Sequence, residues 1–145
     1  MTMEKDVAAL FDRYAASMNR ALAGRADVDE AARLYAPCYI AASPEGLMTG
    51  VNDEALKQAL SQGFRHYRDT GAREMRVDRV DLTPLGPDHC VAHVAWSATY
   101  ARADGTTEVL AFTVHYFVRR DDAGVRVFGW VSGDEQALLR EHGLG

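Results

Sequence analysis

An α+β fold is predicted for this chain: three N-terminal helices packed on a curved, mainly antiparallel sheet that forms a cone, with a short C-terminal helix. Three observations predict it. Apolar residues recur at spacings of three and four from Val7 to Tyr67, the period of a helix with one buried face. From Ala72 to Ser132 the pattern changes to strand-like runs separated by turn residues. The longest of these, Val91 to Arg119, is broken near its middle by Asp104-Gly105, a pair suited to the positive φ angles of a tight hairpin. Helices gathered at the front and strands at the back exclude an alternating α/β order.

The first helix is expected from about Met3 to Ala23. Val7, Leu10, Phe11, Tyr14, Met18 and Leu22 form its apolar stripe, Thr2 suits the cap, and Gly24 suits the exit. A shorter helix begins at Asp27, with Glu30 three residues on, and Pro37 ends it after Leu34 and Tyr35. Cys38 to Ala42 then reads as a short strand and Ser43-Pro44-Glu45-Gly46 as a turn, with Leu47 and Met48 beyond it. A third helix follows from about Asn52 to Asp69, with Leu56, Leu60, Phe64 and Tyr67 on one side and Thr70-Gly71 closing it. Met75, Val77, Val80 and Leu82 mark a strand with a slip in its alternation, which is the sign of a bulge. After the central hairpin, a last strand runs from Val125 to Ser132. Ser132 and Glu135 then read as a capping box for a short helix through Ala137, Leu138 and Leu139 that stops at Gly143.

With Asp104-Gly105 as a two-residue turn, one hairpin face carries His93, Ala95, Ser97 and Thr99 beside Leu110, Phe112, Val114 and Tyr116. The other carries Val94, Trp96, Ala98 and Tyr100 beside Val109, Ala111, Thr113 and His115. Neither face is polar in that register, so both need cover. Helices of the same chain can cover one; the other needs another subunit or another sheet.

Composition narrows the function classes. At 145 residues the chain is read as one domain, 1–145, able to bury roughly 70% of its unfolded surface without metals or disulfides. A net charge of -5 and the lack of a basic block exclude a nucleic-acid partner. No run reaches the length of a membrane helix, and MTMEKDVAALFDRY has acidic residues where a signal peptide has basic ones, so a cytoplasmic protein is expected. Cys38 and Cys90 are then two reduced, buried thiols. No phosphate loop, nucleophile elbow or paired carboxylates mark a cofactor or reaction, and none is assigned. His89 and His93 share a strand face but lie about 13 Å apart, too far for one metal ion.

The order of elements, with a short strand inserted between the second and third helices and a curved sheet after them, resembles the nuclear transport factor 2-like superfamily. That superfamily includes ketosteroid isomerase and SnoaL-like cyclases. The resemblance implies a cone that holds a small hydrophobic ligand and a sheet face that forms a homodimer. Arg13-Tyr14 followed by Met18-Asn19 resembles the first helix of the isomerase, which makes Tyr14 the counterpart of its oxyanion-binding tyrosine. The isomerase base falls at Ser43 and its second acid at Val114, and neither can do that chemistry. Steroid-type isomerisation is not expected.

The candidates follow from this register. His93, Tyr14 and Tyr116 are the candidate catalytic groups, with His93 as acid or base and a tyrosine as donor. Tyr14, Met18, Tyr39, Ser43, Tyr67, His93, Ser97, Phe112, Val114 and Tyr116 are expected to bind the ligand. Val94, Trp96, Tyr100, Thr113, His115, Phe117, Phe128 and Trp130 are expected at the dimer interface, since so many aromatic residues are too large a patch for a monomer's surface. A one-residue change in the last turn moves Phe128 and Trp130 into the cone. The leading expectation is a small-molecule binding protein; the alternatives are a cyclase, isomerase or dehydratase working through His93, and a pure interaction module.

Overall fold

Helical periodicity in the first half and β-type alternation in the second set the order of elements in the computed structural model, which describes residues 2–144. Helix α1 (Thr2–Leu22) is followed by α2 (Val28–Ala32), β1 (Tyr35–Ser43), β2 (Gly46–Val51) and α3 (Glu54–Thr70). Strands β3 (Ala72–Pro84), β4 (His89–Ala101), β5 (Thr107–Asp121) and β6 (Gly124–Val131) come next, and α4 (Glu135–Glu141) is the last helix. The side chain of Thr2, expected to cap α1, lies outside the described residues. Among those residues no helix is long and apolar enough to cross a membrane.

The strands form one curved, unclosed sheet in the order β2-β1-β6-β5-β4-β3. Every neighbouring pair is antiparallel except β1 and β6. Helix α1 packs on β3 and β6 and touches α2 and α3, so the helices lie over the concave side. Val7, Leu10 and Phe11 of α1 are buried together with Val94, Trp96, Val118 and Val127 of the sheet. Asn19 fastens α1 to an edge strand. Its amide nitrogen donates to the Met75 carbonyl at 2.9 Å, and its oxygen accepts from the Met75 N–H at 2.8 Å.

Local chemistry explains where elements begin and end. Asp27 caps α2 by accepting from Glu30 N–H, Asp53 caps α3 by accepting from Ala55 N–H, and Gly71 ends α3 at φ +110°. The second helix is shorter than expected, because Tyr35 already belongs to β1. Its carbonyl and that of Ala32 both accept from the Asn52 amide. The expected slip in β3 is a bulge between Val77 and Arg79.

The central hairpin differs from its expected register by one residue. Arg102 N–H donates to Thr106 at 2.8 Å and Gly105 N–H to Arg102 at 3.0 Å, so the loop is Ala103-Asp104-Gly105, with Gly105 alone at positive φ, +88°. A three-residue loop moves β4 against β5 by one place. His93 therefore faces His115, Trp96 faces Phe112, and Ala98 faces Leu110. Since a one-residue slip turns a strand over, the inner face carries Ala92, Val94, Trp96, Ala98 and Tyr100, all buried. His93, Ala95, Ser97 and Thr99 lie on the outer face with Val109, Ala111, Thr113 and His115. The two apolar faces resolve into one apolar and one mixed face, the usual pattern of a sheet covered on one side.

Two further expectations are corrected. Cys38 is exposed, and only Cys90 is buried; both are free thiols. A bulge between Phe117 and Val118, opposite Phe128, puts Phe128 and Trp130 on different faces. Phe128 packs outside against Phe117, with ring centroids 5.7 Å apart, while Trp130 turns into the cone.

Candidate functional site

The space between α1, α3 and the inner sheet face holds a cavity of about 180 Å3. Tyr14, Ser17 and Met18 reach it from α1, and Leu60, Gly63, Phe64 and Tyr67 from α3. Tyr35, Met75, Trp96, Phe112, Val114, Tyr116 and Trp130 reach it from the sheet, and Ser132 and Glu135 from the segment leading into α4. The wall is therefore mostly aromatic and aliphatic, with a few fixed polar atoms, as small-molecule sites are.

Tyr14 stands at the centre of an aromatic cluster. Its ring lies 5.6 to 5.7 Å from those of Phe11, Trp96 and Tyr116, and its hydroxyl is 2.9 Å from that of Tyr35. The Trp96 indole N–H donates to the Tyr116 hydroxyl at 3.1 Å. Burial raises the pKa of Tyr14, and it raises those of Tyr35, Tyr67 and Tyr116 well above the usual phenol value. All four are neutral hydroxyls at physiological pH, and the Tyr67 proton is already given to Glu135.

Glu135 is the one carboxylic acid among the lining residues, which include no Lys, Arg or His. The Tyr67 hydroxyl donates to Glu135 Oε1 at 3.1 Å. Burial raises the carboxyl pKa, and that hydrogen bond offsets the rise only in part. The capping-box reading of Ser132 and Glu135 hid this acid, because it assigned the carboxylate to the helix backbone. The cap is Asp134, whose Oδ1 accepts from Ala137 N–H at 2.9 Å. Glu135 is thereby free to face the cavity.

The ligand candidates divide along the register. Tyr14, Met18, Tyr67, Phe112, Val114 and Tyr116 line the cavity. Tyr39 lies behind the wall, stacked on Trp130 at 5.4 Å and 16°. Ser43 sits at the β1–β2 turn, where its Oγ accepts from Glu45 N–H. Ser97 and His93 are on the outer face, where Ser97 donates to Asp78 and His93 bonds Thr83 and His115. His93 therefore cannot be an acid or base within the cone. Of the interface candidates, Thr113, His115, Phe117 and Phe128 are on the outer face. Val94, Trp96 and Tyr100 are at most 3% exposed on the inner one, and Trp130 lines the cavity. Tyr35, Trp96, Trp130 and Glu135 are cavity residues that the sequence reading placed elsewhere or passed over. For Trp130 the signal existed, as the alternative turn length.

Solved structures share this architecture. An NTF2-like protein with a cystatin-like fold from Novosphingobium aromaticivorans is 19% identical, with a TM-score of 0.69 over 95% of this chain and 86% of that one. Aln2 from a Streptomyces species is 16% identical, with a TM-score of 0.69 over 97% of this chain and 96% of the other. A ketosteroid isomerase-like protein from Erwinia carotovora atroseptica is 16% identical, with a TM-score of 0.61 over 86% of this chain and 90% of its own. At such identities the likeness is one of fold. A comparison with curated protein sequences found no match. A family described as NTF2-like protein (DUF6841) matches residues 4–135. The chain, with its helices laid over a curved six-stranded sheet, belongs to this NTF2-like family.

Proposed function

We propose that the cone binds one small, largely apolar molecule. The observation that carries this reading is the unfilled space beside Gly63. This glycine lies inside α3, where it costs about 0.5–1 kcal/mol relative to alanine. It lines the cavity, and a Cβ built on it meets no atom within 4 Å. A position that gives up helix stability and leaves room is suited to a bound guest. Size follows from volume. A dry cavity of about 150 Å3 takes one benzene ring, so about 180 Å3 suits one ring with a short substituent, not a polycycle.

Extraction of the purified protein under denaturing conditions, followed by mass spectrometry, should yield a small molecule enriched over a Gly63→Leu variant prepared alongside. If the two extracts match, and no monocyclic fragment moves the Trp96 or Trp130 indole signals in NMR spectra, the cone is not a binding site.

The outer sheet face supports a second proposal, pairing with another copy of this chain. Its central strands present Ala95, Thr99, Val109, Ala111 and Thr113, with Ile40 and Val131 exposed beside them. Charged outward residues lie toward the margins, with Arg76, Arg79 and Asp81 on the edge strand β3 and Arg119, opposite His89, near the end of β5. An uncharged centre does not oppose self-association. Sedimentation at micromolar concentration tests it, and a monomer there would remove the dimer.

A further inference from the structure

We infer that the molecule held in the cone is an organic cation, an ammonium group carried on a skeleton of about one ring. This inference rests on the proposed binding role of the cavity and adds the chemistry of its occupant.

Three features of the wall converge on positive charge. Glu135 faces the cavity, and no Lys, Arg or His lines it. Its carboxyl makes no ion pair among the described residues; the Tyr67 hydroxyl is its hydrogen-bond donor. A half-buried carboxyl without a cationic partner is an arrangement that an arriving cation would stabilise. Aromatic rings are prominent in the rest of the wall, with Tyr14, Tyr35, Trp96, Tyr116 and Trp130 around the same space. The π faces of such rings attract cations, and Trp does so best.

Other ligand classes fit less well. An anion would meet Glu135 with no base to balance it. A neutral carbonyl compound could accept from a tyrosine hydroxyl, yet it would leave Glu135 without a cationic partner. An amine uses both parts of the wall: its N–H groups donate to Glu135, and its charge lies against the rings.

The probes that test this are benzylamine, a cation at neutral pH, benzyl alcohol, its neutral counterpart of similar shape, and benzoate, an anion. Each is titrated into the full chain at low ionic strength, reading the indole N–H signals of the two tryptophans, Trp96 and Trp130, both of which line the cavity. Benzylamine is expected to bind about tenfold more tightly than benzyl alcohol, with benzoate the weakest. In Glu135→Gln, whose fold is checked by its unliganded spectrum and thermal unfolding, the ratio of amine to alcohol affinity should fall to near one. Equal binding of amine and alcohol by the unaltered protein, tightest binding of benzoate, or a preference for the amine that persists in Glu135→Gln would each overturn the inference and leave the cavity as a binding site. If none of the three probes moves the indole signals, the binding role and the cation fall together.

Discussion

His93 and His115 stand opposite one another on β4 and β5, their Nδ1 atoms 2.7 Å apart, on the side of the sheet that faces away from the cavity. Thr83 Oγ1, 2.8 Å from His93 Nε2, occupies the other ring nitrogen. His93→Ala should therefore leave ligand retention and the Trp96 and Trp130 indole signals as they are in the unaltered protein. A tenfold loss of retention in that variant, about 1.4 kcal/mol, would mean that β4 presents its other face to the cone.

This pair shows how much of the molecule could be read from residue order alone. The elements were legible because each has a strong period: the apolar stripe of α1, the αL glycine ending α3, and the alternation of β3 with its bulge all match the structure. Site residues on the helices and β5, such as Tyr14, Tyr67 and Tyr116, followed from those periods. Side chains of β4 did not, because Asp104-Gly105 fits both a two-residue loop and the end of a three-residue one. The difference of one residue reverses every β4 side chain, exchanging His93 for Trp96. Phe128 and Trp130 were obscure for a related reason, since a bulge has no fixed signature in a run as short as Val-Phe-Gly-Trp.

Glu135 makes a pH prediction with a definite sign. Burial holds its folded pKa above the unfolded value, so its contribution to stability is full when both states are protonated and is lost as pH rises through the folded pKa. In Glu135→Gln the replacing amide cannot ionise, yet its oxygen still accepts from Tyr67. The melting temperature of Glu135→Gln, measured relative to the unaltered protein, should therefore rise as pH is raised from about 4 to about 7. Asp29, Asp78, Glu108 and Asp121 have lowered pKa values and act in the opposite sense, but they are common to both proteins and cancel in the difference. A difference that stays flat or falls with pH would place Glu135 in water.

Asn19 is expected to matter for stability well beyond its small size. Its amide serves the N–H and carbonyl of Met75 on an edge strand, where no neighbouring strand can take over. Removing both partners in Asn19→Ala should cost about 1–3 kcal/mol in denaturant unfolding. Asn19→Asp separates the two bonds, since a carboxylate accepts from the Met75 N–H but cannot donate to its carbonyl. An intermediate loss is expected, and equal stability of all three proteins would show that α1 is held by apolar packing alone.

Gly50 ties the exposed edge of the sheet to the cavity wall. A Cβ at this position would lie 2.3 Å from the Tyr39 ring, and Tyr39 stacks on Trp130, which lines the cone. Ring and backbone cannot both stay in place, and two outcomes are open. If β2 gives way, Gly50→Ala frays an edge hairpin and the Trp130 signal stays where it is. If the ring gives way, Tyr39 leaves its stack, and the change reaches a residue of the binding site. Tyr39 is only 8% exposed, so its ring has little free space to enter, whereas β2 pairs with β1 alone and most of its residues are exposed. The strand should therefore move. Hydrogen exchange should accelerate for the β1–β2 pairs in Gly50→Ala, with a stability loss of about 1–3 kcal/mol and unaltered fragment binding in the cone.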